Sequence, residues 1–471
     1  MTNKHRPRRA LLKKAALIGG GIAAVGLGLP LLIGEKKAVF ESNGSYWFLE
    51  KPTASPPLEE DMNVDVAIIG GGYTGLSSAW HLAKNMPGIN IIILEAGQLG
   101  SGASGRHGGM VLPQIGVESF EIGHDIETHK QLYDLTVEGM QSLQQLVDST
   151  QIECDLQLDG YVHVFLDEED RPYYEEYVDQ AQQANLPLEL WDADRLATAL
   201  GTEAYVGGVY DPNGGSVHAM KLVKALKTAV EQVGVRIFGD SPVTKIEEAQ
   251  TIRLSVGTAN HHVRAKAIVL ATNAYTSKLG YFKHQIMPVH AQTAVTAPLK
   301  QQQLESIAWE TRLPFYDSRN MLYHVVLTPD DRIVIGGGNA EYCFGNDLHY
   351  CGNLGQVSDL MLNELVRIYP ALQGLQFEYV WDGVLGMTFD EVPTVGLMGE
   401  HRNIYYGLAY NGQGVNLSFV FGDVIAALYQ EKDHAYLHTP YAQVSPSFIP
   451  PEPYRWLGVQ AAMKYYAWQD D

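Results

Sequence analysis

The hydrophobic and polar positions divide the chain into a head and a body. Residues 1–14 carry Lys4, Arg6, Arg8, Arg9, Lys13 and Lys14 and no acid, and residues 15–33 then run without a charge. In the body, residues 64–69 form a short apolar run of buried-strand type. The run ends in Gly70-Gly71-Gly72-Tyr73-Thr74-Gly75, after which residues 76–84 have helical composition. Residues 89–94 read as a second buried strand, closed by Glu95. The spacing of apolar positions predicts an amphipathic helix over 220–233, followed by strands at 235–238, 243–247 and 267–270. Between these blocks, residues 125–200 mix polar helices with a strand at 161–165. Residues 286–297 and 322–338 alternate and break as antiparallel strands do. No internal repeat is visible. The pattern implies one α/β domain interrupted by a second domain.

The head belongs to targeting rather than to the fold. Arg8-Arg9-Ala10-Leu11-Leu12-Lys13 resembles the twin-arginine export signal, with Pro7 where Ser or Thr is usual. Glycines at 19, 20, 21, 26 and 28 keep the apolar run only mildly hydrophobic, as such signals tend to be. A plain membrane anchor is the other reading: as a helix the run would rise about 28 Å, close to a bilayer core of roughly 30 Å. No clean small-x-small cleavage site follows. The expectation is export, with the product periplasmic, membrane-anchored through this segment, or secreted.

Composition narrows the classes. The 471 residues exceed what one core holds, so two lobes are expected. With 33 Lys+Arg against 54 Asp+Glu, the net charge of -21 argues against a nucleic-acid surface. Three cysteines exclude a disulfide framework and a four-thiolate zinc site, and no metal is expected. Cys343 and Cys351 could pair after export, but two unpaired thiols are the expectation.

Gly70-x-Gly72-x-x-Gly75 sits at a strand-to-helix turn. The first glycine permits the turn, the second lets backbone approach a pyrophosphate, and the third lets helix pack on strand. The helix start presents unpaired N–H groups to the anion. Glu95 is placed to accept hydrogen bonds from a ribose, and an acid there disfavours a 2′-phosphate.

Further stretches make the chain resemble the D-amino acid oxidase-like superfamily of FAD enzymes, with the relatives of gamma-glutamylputrescine oxidase and the bacterial L-amino acid oxidases nearest. They are Gly100-Ser101-Gly102-Ala103-Ser104-Gly105-Arg106-His107-Gly108-Gly109, residues 207–216, Ala271-Thr272-Asn273-Ala274-Tyr275, and residues 329–338 and 410–418. The resemblance implies a Rossmann-like FAD domain built from residues 64–124, 205–280 and 371–435. It implies an α+β substrate domain with a large antiparallel sheet from 125–204 and 281–370. A signal or anchor helix (1–40), a linker (41–63) and a C-terminal tail (436–471) complete the chain. The implied FAD contacts are Gly70, Gly72, Thr74, Gly75, Glu95, Ala96, Ser104, Arg106, His107, Gly108, Gly109, Met110, Val243, Ala271, Gly412, Gln413, Gly414 and Val415. The helix opened by Gly412–Asn416 would turn its positive end to the flavin N1/O2 edge.

The chain also departs from that pattern. Many relatives that oxidise small amino acids place an Arg shortly after Trp-x-Gly to clamp the substrate carboxylate; here Leu385 stands at about that place. Asp390-Glu391 likewise precede Pro393 where related amine oxidases often have Asn-Arg. Arg106 and Arg319 are therefore the clamp candidates, and Tyr323, His324, Trp381 and Tyr410 could line the pocket. His107 stands in the loop where some superfamily members attach flavin covalently; noncovalent FAD is the expectation. The implied activity is oxidative deamination of an L-amino acid to a 2-oxo acid and ammonia. Hydride passes to flavin N5, and oxygen reoxidises it to give hydrogen peroxide. Amine or gamma-glutamyl-amine oxidation, or a quinone-linked deaminase, stands as the alternative, and a non-catalytic flavin-binding subunit as the contrast. The resemblance leaves room for a homodimer.

Overall fold

The computed structural model describes residues 45–115, 126–258, 261–442 and 444–470. The first sheet runs in the order Thr394–Met398, Ile404–Leu408, His261–Leu270, Met62–Ile69, Ile91–Leu94, Arg236–Phe238. All neighbours on this path pair parallel except Thr394–Met398 with Ile404–Leu408. Ile91–Leu94 is buried at every position, because a parallel strand covered on both faces needs apolar side chains on both. Ile252–Val256 and Val243–Glu247 extend the sheet antiparallel from the early half of His261–Leu270. The helices Tyr73–Asn85, Ala219–Gln232 and Gly414–Tyr429 share one core with this sheet. Small residues set the helix approach: a Cβ on Gly422 would lie 2.1 Å from Ser77 Oγ.

The second sheet runs in the order Phe377–Met387, Met287–Thr296, Ile333–Glu341, Tyr323–Leu327, Phe315–Asp317, Tyr161–Phe165, Gly207–Asp211, Glu189–Asp192. It is antiparallel throughout except where Phe315–Asp317 meets Tyr161–Phe165. One face packs Val325, Ile335 and Ala294 against Met361 and Leu365 of the helix Leu354–Ile368. The other face carries His324, Tyr316 and Trp381 toward the first domain.

Element types follow the sequence pattern closely, and segment membership does not. Gly207–Asp211 and Phe377–Met387, expected in the FAD domain, are strands of the second sheet. The helix Ile126–Thr150, expected in the substrate domain, packs Leu143 and Leu146 into the first core. Pairing of distant strands decides this, and local periodicity carries no record of it. The expected linker is partly core: Tyr46 and Trp47 are buried in a 3-10 turn, and Met62 opens a strand. The expected tail contains the helix Tyr454–Asp470, fastened by Arg455 to Asn346 Oδ1 and by Asp470 to the backbone N–H groups of Asn320 and Met321. Cys343 and Cys351 form a disulfide, contrary to the expectation of two free thiols, while Cys154 is free and buried. The signal or anchor segment lies outside the described residues. Among the described residues no helix is long and apolar enough to cross a membrane.

Candidate active site

The turn after Met62–Ile69 has the geometry its glycines predict. Gly70 adopts φ +109°, and a Cβ there would lie 2.6 Å from Ala271 O. Gly75 abuts the strand end so closely that a Cβ would sit 1.9 Å from Gly70 O. Gly72 caps the helix Tyr73–Asn85, and a Cβ on it would reach within 2.8 Å of Ser104 Oγ. Ser104 Oγ in turn accepts the Tyr73 N–H at 3.0 Å. The glycine turn and the Ala103–Gly105 turn therefore face each other across a narrow cradle.

A cavity of about 520 Å³ opens from this cradle, within the size range of small-molecule sites. Of the residues predicted from sequence, Gly70, Gly72, Thr74, Glu95, Ala96, Ser104, His107, Val243, Ala271, Tyr410, Gly412, Gly414 and Val415 line it. Glu95 accepts N–H bonds from Gly71 (2.7 Å) and Gly97 (3.0 Å). Burial raises its carboxyl above the ordinary range against the pull of those bonds. Leu385 also borders the cavity, so the place where the resemblance points to an Arg is apolar. Gly75, Arg106, Gly108, Gly109, Met110, Gln413, Arg319, Tyr323, His324 and Trp381 are not among the lining residues.

His107 is fixed by both ring nitrogens. Gly109 N–H donates to Nδ1 at 3.0 Å, so that nitrogen is unprotonated. The Nε2–H then donates to Tyr73 Oη at 2.9 Å, and the Tyr73 hydroxyl donates to Ala219 O. Burial, with His324 and His218 nearby, pushes the imidazole down to about 3. His324 lies between two glycines of the flavin-loop segment and the second sheet: a Cβ on Gly108 would be 1.7 Å, and one on Gly336 2.5 Å, from its Nε2. Burial lowers this imidazole to about 4. Trp381 is fully buried and donates to Arg106 O at 2.8 Å, a packing role. Tyr410 Oη and Thr74 Oγ1 are 2.6 Å apart, tying the strand end before the last helix to the first helix.

The two clamp candidates differ sharply. Arg319 is held by Asp317 and Glu364, with Nη1 to Glu364 Oε2 at 3.3 Å, and lies on the Leu354–Ile368 side of the second sheet. It is neutralised there and does not border the cavity. Arg106 donates Nε to Ser101 O and Nη1 to Asp382 O, both at 3.0 Å, and neither acceptor carries a charge.

Sequence reasoning missed Asn273, Tyr275, Lys278 and Asn411 on the cavity wall, of which Lys278 is the one Lys or Arg. Asn273 Oδ1 accepts the Ala409 N–H at 2.9 Å, and Asn411 Oδ1 accepts that of Thr388 at 2.9 Å. Ala409 and Asn411 both have positive φ, +56° and +51°. Strain of that kind concentrates at functional sites, and the Ala-Tyr-Asn-Gly run around it was a readable signal.

A glycine cradle at a helix start, an acid at the next strand end and a cavity lined by both fit FAD. The family model described as DAO, FAD dependent oxidoreductase, matches residues 65–428. The chain belongs to the FAD-dependent oxidoreductase family. This family member is 29% identical to gamma-glutamylputrescine oxidoreductase of Escherichia coli (strain K12) over 85% of this chain and 93% of that protein. It is 25% identical to glycine oxidase of Geobacillus kaustophilus over 80% and 96%. Among solved structures, glycine oxidase from Geobacillus kaustophilus superimposes with TM-score 0.68 at 21% identity, covering 81% of this chain and 99% of that one. L-Amino acid deaminase from Proteus myxofaciens gives TM-score 0.68 at 16% identity, covering 86% and 97%. The likeness of these structures is one of fold.

Proposed function

We propose that this oxidoreductase deaminates an L-amino acid, oxidising the Cα–N bond to an imine that hydrolyses to a 2-oxo acid and ammonia. Arg106 carries this reading. It is a half-buried guanidinium in the flavin loop, and both its hydrogen-bond acceptors are neutral backbone carbonyls. Among the described residues no carboxylate lies within ion-pair distance of it. A half-buried guanidinium whose partners are all uncharged has donors matched to a carboxylate, so a substrate carboxylate is its natural counter-charge. FAD, when bound, supplies the two-electron acceptor. Gly70, Gly72 and the start of Tyr73–Asn85 would hold its pyrophosphate, and Glu95 its ribose. Val384 and Leu385 supply an apolar wall that keeps water from the reacting carbon. His107, locked in one tautomer by Gly109 and Tyr73, keeps the loop rigid and supports noncovalent binding of the cofactor.

Oxidation of an amine or gamma-glutamyl amine is the second reading. It is favoured by the absence of Arg106 from the cavity wall and by the 29% identity to gamma-glutamylputrescine oxidoreductase. Anaerobic bleaching of the flavin by L-amino acids, their decarboxylated amines and gamma-glutamylputrescine separates the two. Arg106→Met is expected to raise the KM for amino acids far above that for amines, by a factor of about 30 or more in kcat/KM. Equal losses with FAD retained would favour the amine reading. Peroxide release without membranes identifies oxygen as acceptor, whereas turnover only with added quinone identifies a dehydrogenase.

A further inference from the structure

A carboxylate the mechanism does not use lies on the flavin-facing side of the second sheet. Asp211 ends the strand Gly207–Asp211 and is 2% exposed. Its Oδ1 accepts Tyr133 Oη–H at 2.7 Å and the Asn213 N–H at 2.9 Å. Among the described residues its Oδ2 has only Tyr161 Oη, at 3.5 Å, well beyond an ordinary O–H···O bond. Among the same residues no Lys, Arg or His acts on it, and burial pushes its carboxyl up to about 7. This buried acid thus has no cation beside it among the described residues.

The surroundings are aromatic. Tyr161 stacks on Tyr316 with ring centroids 6.0 Å apart, and His163 stacks on Tyr316 at 4.4 Å. Aromatic faces beside a carboxylate are the surroundings that attract an organic cation. A nitrogen already occupies the gap between the phenols. Gln114 Nε2 donates to Tyr316 Oη at 2.7 Å and to Tyr161 Oη at 3.2 Å. The other end of that amide accepts from Gln413 Nε2 at 3.0 Å. Gln413 stands between Gly412 and Gly414, which line the cofactor cavity. Three contacts, of 3.5, 3.2 and 3.0 Å through Tyr161 and Gln114, thus join Asp211 to the Gln413 side chain at the start of the helix Gly414–Tyr429.

We propose that Asp211, Tyr161 and Tyr316 form the subsite for a second, cationic nitrogen of the substrate, with the Gln114 amide nitrogen marking its place. The substrate class is then a basic amino acid or a diamine, with its ammonium or guanidinium a few methylenes from the oxidised carbon. This rests on the reading that a C–N bond is oxidised at the flavin.

The test pairs cationic-tailed compounds (L-lysine, L-arginine, putrescine) with neutral-tailed ones of similar length (L-norleucine, L-citrulline, butylamine). Wild-type holoenzyme is expected to prefer the cationic member of each pair in kcat/KM. Asp211→Asn should reduce that preference by a factor of about 30 or more, mostly through KM, with FAD content retained. A preference for neutral tails, or a ratio unchanged by Asp211→Asn, overturns the proposal. A second readout separates this from the reaction itself: thermal stabilisation of the holoenzyme by the same compounds. If nothing is turned over, the deamination reading falls, yet stabilisation by cationic compounds that vanishes in Asp211→Asn still supports the subsite, and its absence in wild type refutes it. Tyr316→Phe serves should Asp211→Asn not fold. It removes the hydroxyl beside the marked nitrogen and should lower the same ratio.

Discussion

Replacing Arg319 with Met tests whether this guanidinium belongs to the fold rather than to the substrate. Asp317 has no exposed side-chain surface, and Arg319 gives it Nε at 2.9 Å and a second, shorter bond from Nη2. Without Arg319, Asp317 keeps two N–H bonds at 3.2 Å, from the backbone of residue 319 and of Tyr323. Glu364 retains Arg367, so the loss falls mainly on Asp317. Stranding one partner of a buried pair costs about 3–5 kcal/mol, and the guanidinium over the Tyr323 ring, 4.5 Å from its centroid, adds about 0.5–1 kcal/mol. Arg319 is 18% exposed, so water reaches part of the vacancy and the lower end, about 3 kcal/mol, is expected. For a chain of 471 residues that corresponds to a fall in Tm of roughly 3 °C. Burial already holds Asp317 above the ordinary carboxylate range, and losing Arg319 raises it further. A carboxyl raised in the folded state loses stability as pH climbs above its unfolded value, so the deficit should be larger at pH 8 than at pH 5. Calorimetry of the holoenzyme at both pH values measures this. A Tm within about 1 °C of wild type, together with a KM for amino acids raised tenfold or more, would refute the structural role and restore Arg319 as a carboxylate clamp.

Other outcomes follow from the same geometry. Gly72→Val should purify without flavin absorbance, because its side chain would enter the cradle opposite Ser104; full flavin occupancy would remove this loop from the cofactor site. Acid precipitation should release the flavin into the supernatant, since both His107 ring nitrogens are engaged; flavin retained on the pellet would contradict the hydrogen-bond assignment. Asp211→Asn should raise Tm more at pH 8 than at pH 5. The wild-type carboxyl, raised from 3.8 to about 7, loses stability as pH rises through that window, by up to roughly 4 kcal/mol. Equal Tm changes at the two pH values would show that Asp211 is not held above its ordinary range.

What the sequence made legible was local. Gly70, Gly72 and Gly75 are constrained by neighbours within one strand-turn-helix unit, so their pattern carries its own explanation, and Glu95 closes the next strand. The domain membership of 207–211 and 377–387 depends on strands far away in the chain, Tyr161–Phe165 and Met287–Thr296, and left no local trace. Arg319 looked available because Glu364, which engages it, lies 45 residues further on. The Gln413–Gln114–Tyr316 chain joins three segments separated by 299 and 202 residues, and no periodicity reports it. The proline-rich stretch before Met62 read as a linker for its composition, although the aromatic pair ahead of it is core.

That aromatic pair ties the beginning of the body to the heart of the site. Trp47 Nε1–H donates to His107 O at 2.8 Å, its ring lies edge-on to Trp381 at 6.4 Å, and Tyr46 reaches Asp330 at 3.0 Å in the turn between two strands of the second sheet. The segment leading out of residues 1–44 is thus a strap across both domains, buckled at the flavin loop. A chain trimmed to start at the first strand would keep every glycine of the cradle and lose the strap. Any displacement of Trp47 is therefore delivered directly to the backbone carbonyl of a cavity-lining residue, so the position of this strap becomes a variable of the active site.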